Sequence, residues 1–243
     1  MVRGFYALGS GILTRERTLD SISNNIANAD TAGFKKDKVV QSAFGELMIN
    51  RMDGKRTELS NISLMNAAEE NVSVFTEGPL KSTDSALDFA VLGQGFFGVQ
   101  TPNGLKYTRN GEFGLDSEGY LTLPGCGRVM GQNGAIYLGS DDVSADTGGN
   151  LYVGGKLMGT IRLYGFTDYA GLKTDGNGLF TGNGAALPQN TEIAWKTLEG
   201  SNVDVSEQMT DAISSQRSLQ SCSEALKMVD QILEKAATQI AKI

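Results

Sequence analysis

Leu87-Asp88-Phe89-Ala90-Val91-Leu92-Gly93-Gln94-Gly95-Phe96-Phe97-Gly98-Val99-Gln100-Thr101-Pro102-Asn103-Gly104 decides between two kinds of fold. Gly93, Gly95 and Gly98 match the glycine spacing of a dinucleotide-binding turn. That turn needs a helix straight after it, whose N-terminus holds the pyrophosphate. Instead the chain continues with Val99-Gln100-Thr101, closed by Pro102, which lacks an N–H, and by an Asn-Gly turn. The stretch predicts a β-hairpin and no nucleotide site.

The same texture continues on either side. Residues 87–91, 96–100, 106–108, 120–123, 135–138 and 160–164 are short, rich in β-formers and bounded by Gly, Asn, Asp or Pro. Pro102-Asn103-Gly104, Arg109-Asn110-Gly111, Asp116-Ser117-Glu118-Gly119 and Gln132-Asn133-Gly134 supply the turns. Thirty-one glycines against 4 prolines suit many tight turns.

At both ends the period changes from two to 3.6. Residues 3–28 carry Phe5, Leu8, Ile12, Leu19, Ile22 and Ile26 at steps of three, four, seven, three and four, one apolar seam broken only by Arg15. The run closes before Gly33, which can end a helix. Near the C-terminus Leu219, Cys222, Leu226, Val229, Leu233, Ala236, Ile240 and Ile243 alternate three and four, a coiled-coil seam. Asp204 with Glu207 three residues on reads as a capping box, so a helix is expected from about residue 205 onward. The fold class is α+β: N- and C-terminal helices pairing as a coiled-coil-like domain (1–75 and 198–243, with a linking segment) around an inserted β-rich domain (76–197). Apolar seams left in water are costly and sticky, so these need partners within the chain or in other copies.

Composition removes several functions. The 243 residues include no histidine, which excludes Ser-His-Asp and Cys-His catalysis and His-based metal sites. A net charge of -7 repels nucleic acid and anionic membrane. No apolar run of about 20 residues predicts membrane insertion, and Arg15, Glu16, Arg17 and Asp20 break the N-terminal segment as a secretory signal. Cys126 and Cys222 sit in segments of different character and read as small hydrophobes, not as a disulfide. Asp141-Asp142 with Asp146, and Asp168 with Asp175 and Asn177, offer oxygens to a hard cation, but neither group has the spacing of a calcium loop. Lys35, Lys36 and Lys38 read as a solvated face, and Trp195 as core or interface. No cofactor is expected.

Three ordered blocks carry a resemblance. The first is Asn25-Ile26-Ala27-Asn28-Ala29-Asp30-Thr31-Ala32-Gly33-Phe34-Lys35. The second runs from Leu87 through Gly93, Gly95, Phe96 and Phe97 to Tyr107-Thr108-Arg109 and on to Leu121. The third is Leu198-Glu199-Gly200-Ser201-Asn202-Val203-Asp204, followed by Gln216-Arg217 and the terminal helix. Together they resemble the bacterial flagellar basal-body rod and hook protein family across nearly the whole chain.

The resemblance implies an axial structural subunit, not an enzyme. It would be exported without a cleaved signal through the flagellar export apparatus, and would assemble in the cell envelope with other copies of itself and with other rod and hook proteins. Its terminal helices would line a helical tube that transmits torque and encloses a channel, with the β domain outward. It also implies that Asn25, Asn28, Thr31 and Gly33 shape the helix exit and that Gln216-Arg217 make polar contacts between helices. The short stretch 45–79 favours a proximal-rod over a distal-rod subunit, and the length disfavours a hook protein. Two other classes stay open: a β-rich binding module on a coiled-coil stalk, and a hydrolase working through carboxylates.

Overall fold

The computed structural model describes residues 2–53, 55–169, 171–175, 178–182, 185–186 and 192–240. It divides the chain into two units, Met1–Ala27 with Asp37–Val72 and Asp204–Ile243, and Asn28–Lys36 with Ser73–Val203. Segment 28–36 thus groups with the β-rich residues.

In the first unit, helix α1 spans Val2–Ala27, strands β1 and β2 span Asp37–Asp53 and Lys55–Ser73, and helix α2 spans Val205–Ile240. The helices begin and end close to where the heptad spacing places them. At the start of α2, Asp204 Oδ1 accepts the amides of Ser206 and Glu207 at 2.8 and 3.2 Å, the expected cap. β1 and β2 pair into a two-stranded sheet, a feature absent from the reading of 45–79 as a linking segment.

The helices run antiparallel. Asn25 meets Gln208 and Gly11 lies against Cys222, fourteen residues further along α2 and fourteen back along α1. Their buried positions are Thr14, Ser21, Ile22 and Asn25 on α1 and Gln208 and Ser215 on α2. Leu219, Cys222, Leu226 and Val229 continue the same face, half-buried. The steps from Gln208 through Ser215, Cys222 and Val229 are all seven, as a coiled-coil seam requires. This register sets Val2 opposite Gln231, and just beyond it Leu233 is 41% exposed.

The second unit is a β structure. Its strands are β3 (Leu80–Ser82), β4 (Phe89–Leu92), β5 (Phe96–Thr101), β6 (Gly104–Thr108), β7 (Gly114–Leu115), β8 (Leu121–Leu123), β9 (Gly127–Gly131) and β10 (Gly134–Ala135). They continue with β11 (Val143–Ala145), β12 (Asn150–Val153), β13 (Lys156–Thr160), β14 (Leu163–Gly165), β15 (Lys173–Thr174), β16 (Phe180–Thr181), β17 (Ala185–Ala186), β18 (Glu192–Trp195) and β19 (Thr197–Glu199). The main sheet runs β15-β16-β6-β5-β9-β8-β7, with β10 on β9, β14 on β5 and β17 on β14; β11-β12-β13, β18-β4 and β19-β3 are smaller sheets.

The turns expected at 102–104, 116–119 and 132–134 join β5–β6, β7–β8 and β9–β10. The turn at 93–95 differs from expectation. β4 pairs with β18, not with β5, so Gly93 and Gly95, at φ +86° and +148°, carry the chain from one sheet to another. The run 160–164 divides between β13 and β14 around the bridge residue Ile161.

Strand alternation splits the apolar side chains into two clusters. Phe97, Val99, Leu121, Val129 and Leu151 anchor one, while Phe96, Tyr107, Tyr164 and Phe180 form the other. The adjacent residues Phe96 and Phe97 therefore serve opposite faces of β5. Each fully buried Phe or Leu contributes about 1.5–3 kcal/mol.

Candidate functional site

Two constellations gather the residues singled out in the sequence. The first is the seam of the helix pair. Ile22 is buried, Leu8, Ile12, Leu19, Ile26, Leu219, Leu226 and Val229 are half-buried, and Phe5 and Leu233 are exposed. Of Ile240 only the backbone is described, and Ile243 lies outside the described residues. Asn25 organises the end of this seam where α1 closes and α2 begins. Its Nδ2 donates to Asp37 O at 2.8 Å and to Gln208 Oε1 at 3.0 Å, its Oδ1 accepts the Asp37 amide at 2.9 Å, and Ser21 Oγ donates to the same Asp37 carbonyl. An aliphatic side chain here would make none of these bonds.

Gln216 and Arg217 stand exposed beside buried Ser215, so they lie outside the seam within this chain. The exposed stripe Val205, Met209 and Ile213 flanks the seam on α2, and Met228 and Ile232 are exposed further along. On α1, Leu13 is 62% exposed.

The second constellation lies in the β unit, where all three sequence blocks converge on Glu199. Its carboxylate is 1% exposed and accepts from Lys35 Nζ at 2.6 Å, from the Gly78 amide at 3.1 Å and from Arg109 at 3.2 Å. Lys35 also donates to Thr76 O at 2.6 Å, and Arg109 to Gly93 O at 2.8 Å. The Arg109 guanidinium stacks over the Phe96 ring, 5.1 Å from its centroid. Burial pushes the Lys35 ammonium below its ordinary value despite the Glu199 carboxylate, and the neighbouring guanidinium adds to the depression.

Lys35 is therefore no part of a solvated basic face. It is among the most buried charges of the chain, at 3% exposed. Lysine reaches such a position only with its charge matched and its donors used, and Glu199 and Thr76 do both.

Around this pair the backbone is tightly fitted. The Gly33 amide donates to Glu199 O at 2.7 Å. Gly33 has φ +67°, and a Cβ there would overlap the Arg109 backbone. Asn202 joins three strands of chain: Oδ1 accepts the Lys36 amide at 2.7 Å, Nδ2 donates to Val74 O at 2.7 Å and Thr76 Oγ1 at 2.9 Å, and its amide donates to Phe34 O. Thr31 donates to Asn28 Oδ1, Ser201 Oγ accepts the Val203 amide, and Thr108 Oγ1 donates to Gly178 O. Ala27 closes α1, and Tyr107 lies in the second apolar cluster.

Among the described residues no cluster of acidic or cysteine side chains is placed to hold a metal. Asp146 caps its own turn through the amides of Gly148 and Asn150, Asp175 pairs with Lys106, and Asn177 lies outside the described residues. Both cysteines are free thiols. Trp195 packs against the first cluster and donates to Ala86 O at 2.9 Å. No helix among the described residues is long and apolar enough to cross a membrane.

Comparison with known proteins matches the same three blocks. Family models described as flagella basal body rod protein, flagellar hook protein FlgE/F/G D1 domain and flagellar basal body rod FlgEFG protein C-terminal match residues 5–35, 90–152 and 196–240. The flagellar hook-basal body complex protein FlhO of Bacillus subtilis is 30% identical, with all of both chains covered. The chain belongs to the flagellar basal-body rod protein family. The rod protein FlgG of B. subtilis is also 30% identical, over 97% of this chain and 98% of its own, and FlgF of Caulobacter vibrioides is 29% identical over 95% of each.

Membership makes this a structural component of the flagellar basal body rather than an enzyme, acting with other rod and hook proteins. The family blocks coincide with the two constellations: the first block supplies Asn25, Gly33 and Lys35, the second Gly93, Phe96 and Arg109, and the third Glu199 and Asn202. Sequence reasoning picks out most of these as motif but misses Glu199 as their meeting point. The available signal was a cation in each of the first two motif blocks and an anion in the third.

Proposed function

We propose that this chain is an axial rod subunit, in which the helical unit forms the wall of a helical tube. Copies of the chain associate through the seam and its flanks, transmit torque along the rod and enclose the export channel. The chain reaches the envelope through the flagellar export apparatus without a cleaved signal. A proximal position is favoured by the short stretch 45–79.

The observation that carries this reading is the pair of apolar stripes left exposed on α2. Met209 and Ile213 are 52% and 53% exposed on one flank, and Met228 and Ile232 are both 58% exposed further along α2. Burying residues of this size in water-free contact favours association by about 1.5–3 kcal/mol each. Two separate stripes on one molecule suit an open, head-to-tail assembly better than a closed pair. Gln216 and Arg217, exposed between them, supply polar contacts to neighbouring copies.

The test is substitution on the stripe and on the seam. Ile213→Asp and Leu226→Asp should each abolish incorporation into basal bodies and swimming, while Trp195 fluorescence shows the β unit folded. Normal incorporation of Ile213→Asp would overturn the reading.

A further inference from the structure

We infer that residues 28–36 are a latch whose seating is required for the β unit to fold, so that a unit built mainly from residues 73–203 is incomplete until a segment from the far side of residues 37–72 is in place. This goes beyond the rod reading and does not depend on it.

The latch is a loop with a fixed base and a buried tip. Its base is closed by the paired hydrogen bonds between Asn25 and Asp37, at 2.8 and 2.9 Å. Its tip inserts two donors at Glu199: the Gly33 amide on the backbone oxygen and the Lys35 ammonium on the carboxylate. Two further bonds hold Lys36 beside the tip: its carbonyl accepts the Val74 amide at 2.8 Å and its own amide donates to the Asn202 side chain at Oδ1, 2.7 Å away.

Loops of this length ordinarily open by themselves, at low cost, while the core stays shut. This one is placed to behave otherwise. Withdrawing it would take the Lys35 ammonium from the buried Glu199 carboxylate and the Lys36 amide from half-buried Asn202, and Arg109 alone would have to neutralise a carboxylate that now takes two cations. Gly33 lies so close to the Arg109 backbone that even a Cβ at this position would overlap it. Without these contacts the β residues would stay unfolded in any chain whose N-terminal segment is engaged elsewhere.

Hydrogen exchange on the full chain tests this. The amides of Gly33 and Lys36 should exchange within about tenfold of those of Leu121 and Ile161, which are bonded inside the β unit, because all four would wait for one opening event. Faster exchange at Gly33 and Lys36 by more than about tenfold would overturn the inference. In Lys35→Met, exchange at all four amides should accelerate together. Acceleration confined to Gly33 and Lys36, with Leu121 and Ile161 as in the wild type, would equally overturn it. If Lys35→Met does not fold, the comparison within the wild type decides.

Discussion

Asn25 donates its side-chain amide to Gln208 Oε1 at 3.0 Å, a buried polar contact between two residues 183 positions apart, in the interior of the helix pair. A buried polar contact of this kind in a coiled-coil interior favours one register, because a slipped alignment loses it. Here the same Asn25 also holds both backbone groups of Asp37, so one side chain sets the helix pairing and the direction in which the chain leaves α1.

Asn25→Ala should therefore destabilise the helical unit more than loss of one ordinary contact. It removes the Asn25 bonds to the Asp37 amide and carbonyl and to Gln208 Oε1, at about 1–3 kcal/mol for each group that neither water nor another donor can reach. Thermal unfolding followed by helical circular dichroism should show a lowered midpoint, with the Trp195 transition moved less.

The antiparallel register is open to a covalent check. A Cβ placed on Gly11 lies 4.0 Å from Cys222 Sγ, so Gly11→Cys should form a disulfide with Cys222 on mild oxidation. The product should migrate as a cross-linked monomer and gain about 2–4 kcal/mol of stability from the long loop closed. Cross-linking between chains only, or none, would contradict the pairing.

Gly33→Ala probes the fit of the loop at Glu199. The residue would need φ +67° and would press its methyl on the Arg109 backbone, so a loss well above about 1 kcal/mol is expected. Equilibrium unfolding followed by Trp195 fluorescence measures it, and a loss under half that size would mean the loop shifts freely.

Asp146 provides an acid-dependent contribution. Hydrogen bonds from Asn150, with further ones from backbone amides and Tyr152, hold its carboxyl below the ordinary value of 3.8. With the folded value lower than the unfolded one, the unfolded chain binds more protons in that window. The contribution is thus complete above 3.8 and is lost as pH falls through the folded value. Because the group is exposed the effect is small. Acid titration of Asp146→Ala against the wild type should show stabilities that converge as pH drops below that range.

Particular residues show what could be read without coordinates. The helices were legible because their signal is local and repeated: Leu219, Leu226 and Val229 recur on one face, and Asp204 marks the start. The hairpins were legible wherever Asn-Gly or Asp-x-x-Gly turns join neighbouring strands. The pairing of β4 with β18 was not, since Phe89 and Trp195 face each other across more than a hundred residues and nothing local encodes that choice. The two long strands β1 and β2 went unread even though Asp53-Gly54, a strong hairpin signal, lies between them. Lys35 was misread because three neighbouring lysines look like a wet surface. The carboxylate that buries one of them is 164 positions away.

The central claim, that this chain is a structural part of the rod, is tested most directly by purifying hook–basal bodies from cells that lack it and imaging them by electron cryomicroscopy. Rods should be truncated or absent, and restored by the wild-type chain supplied in trans but not by Ile213→Asp. Full-length rods in cells without the chain would contradict the assignment.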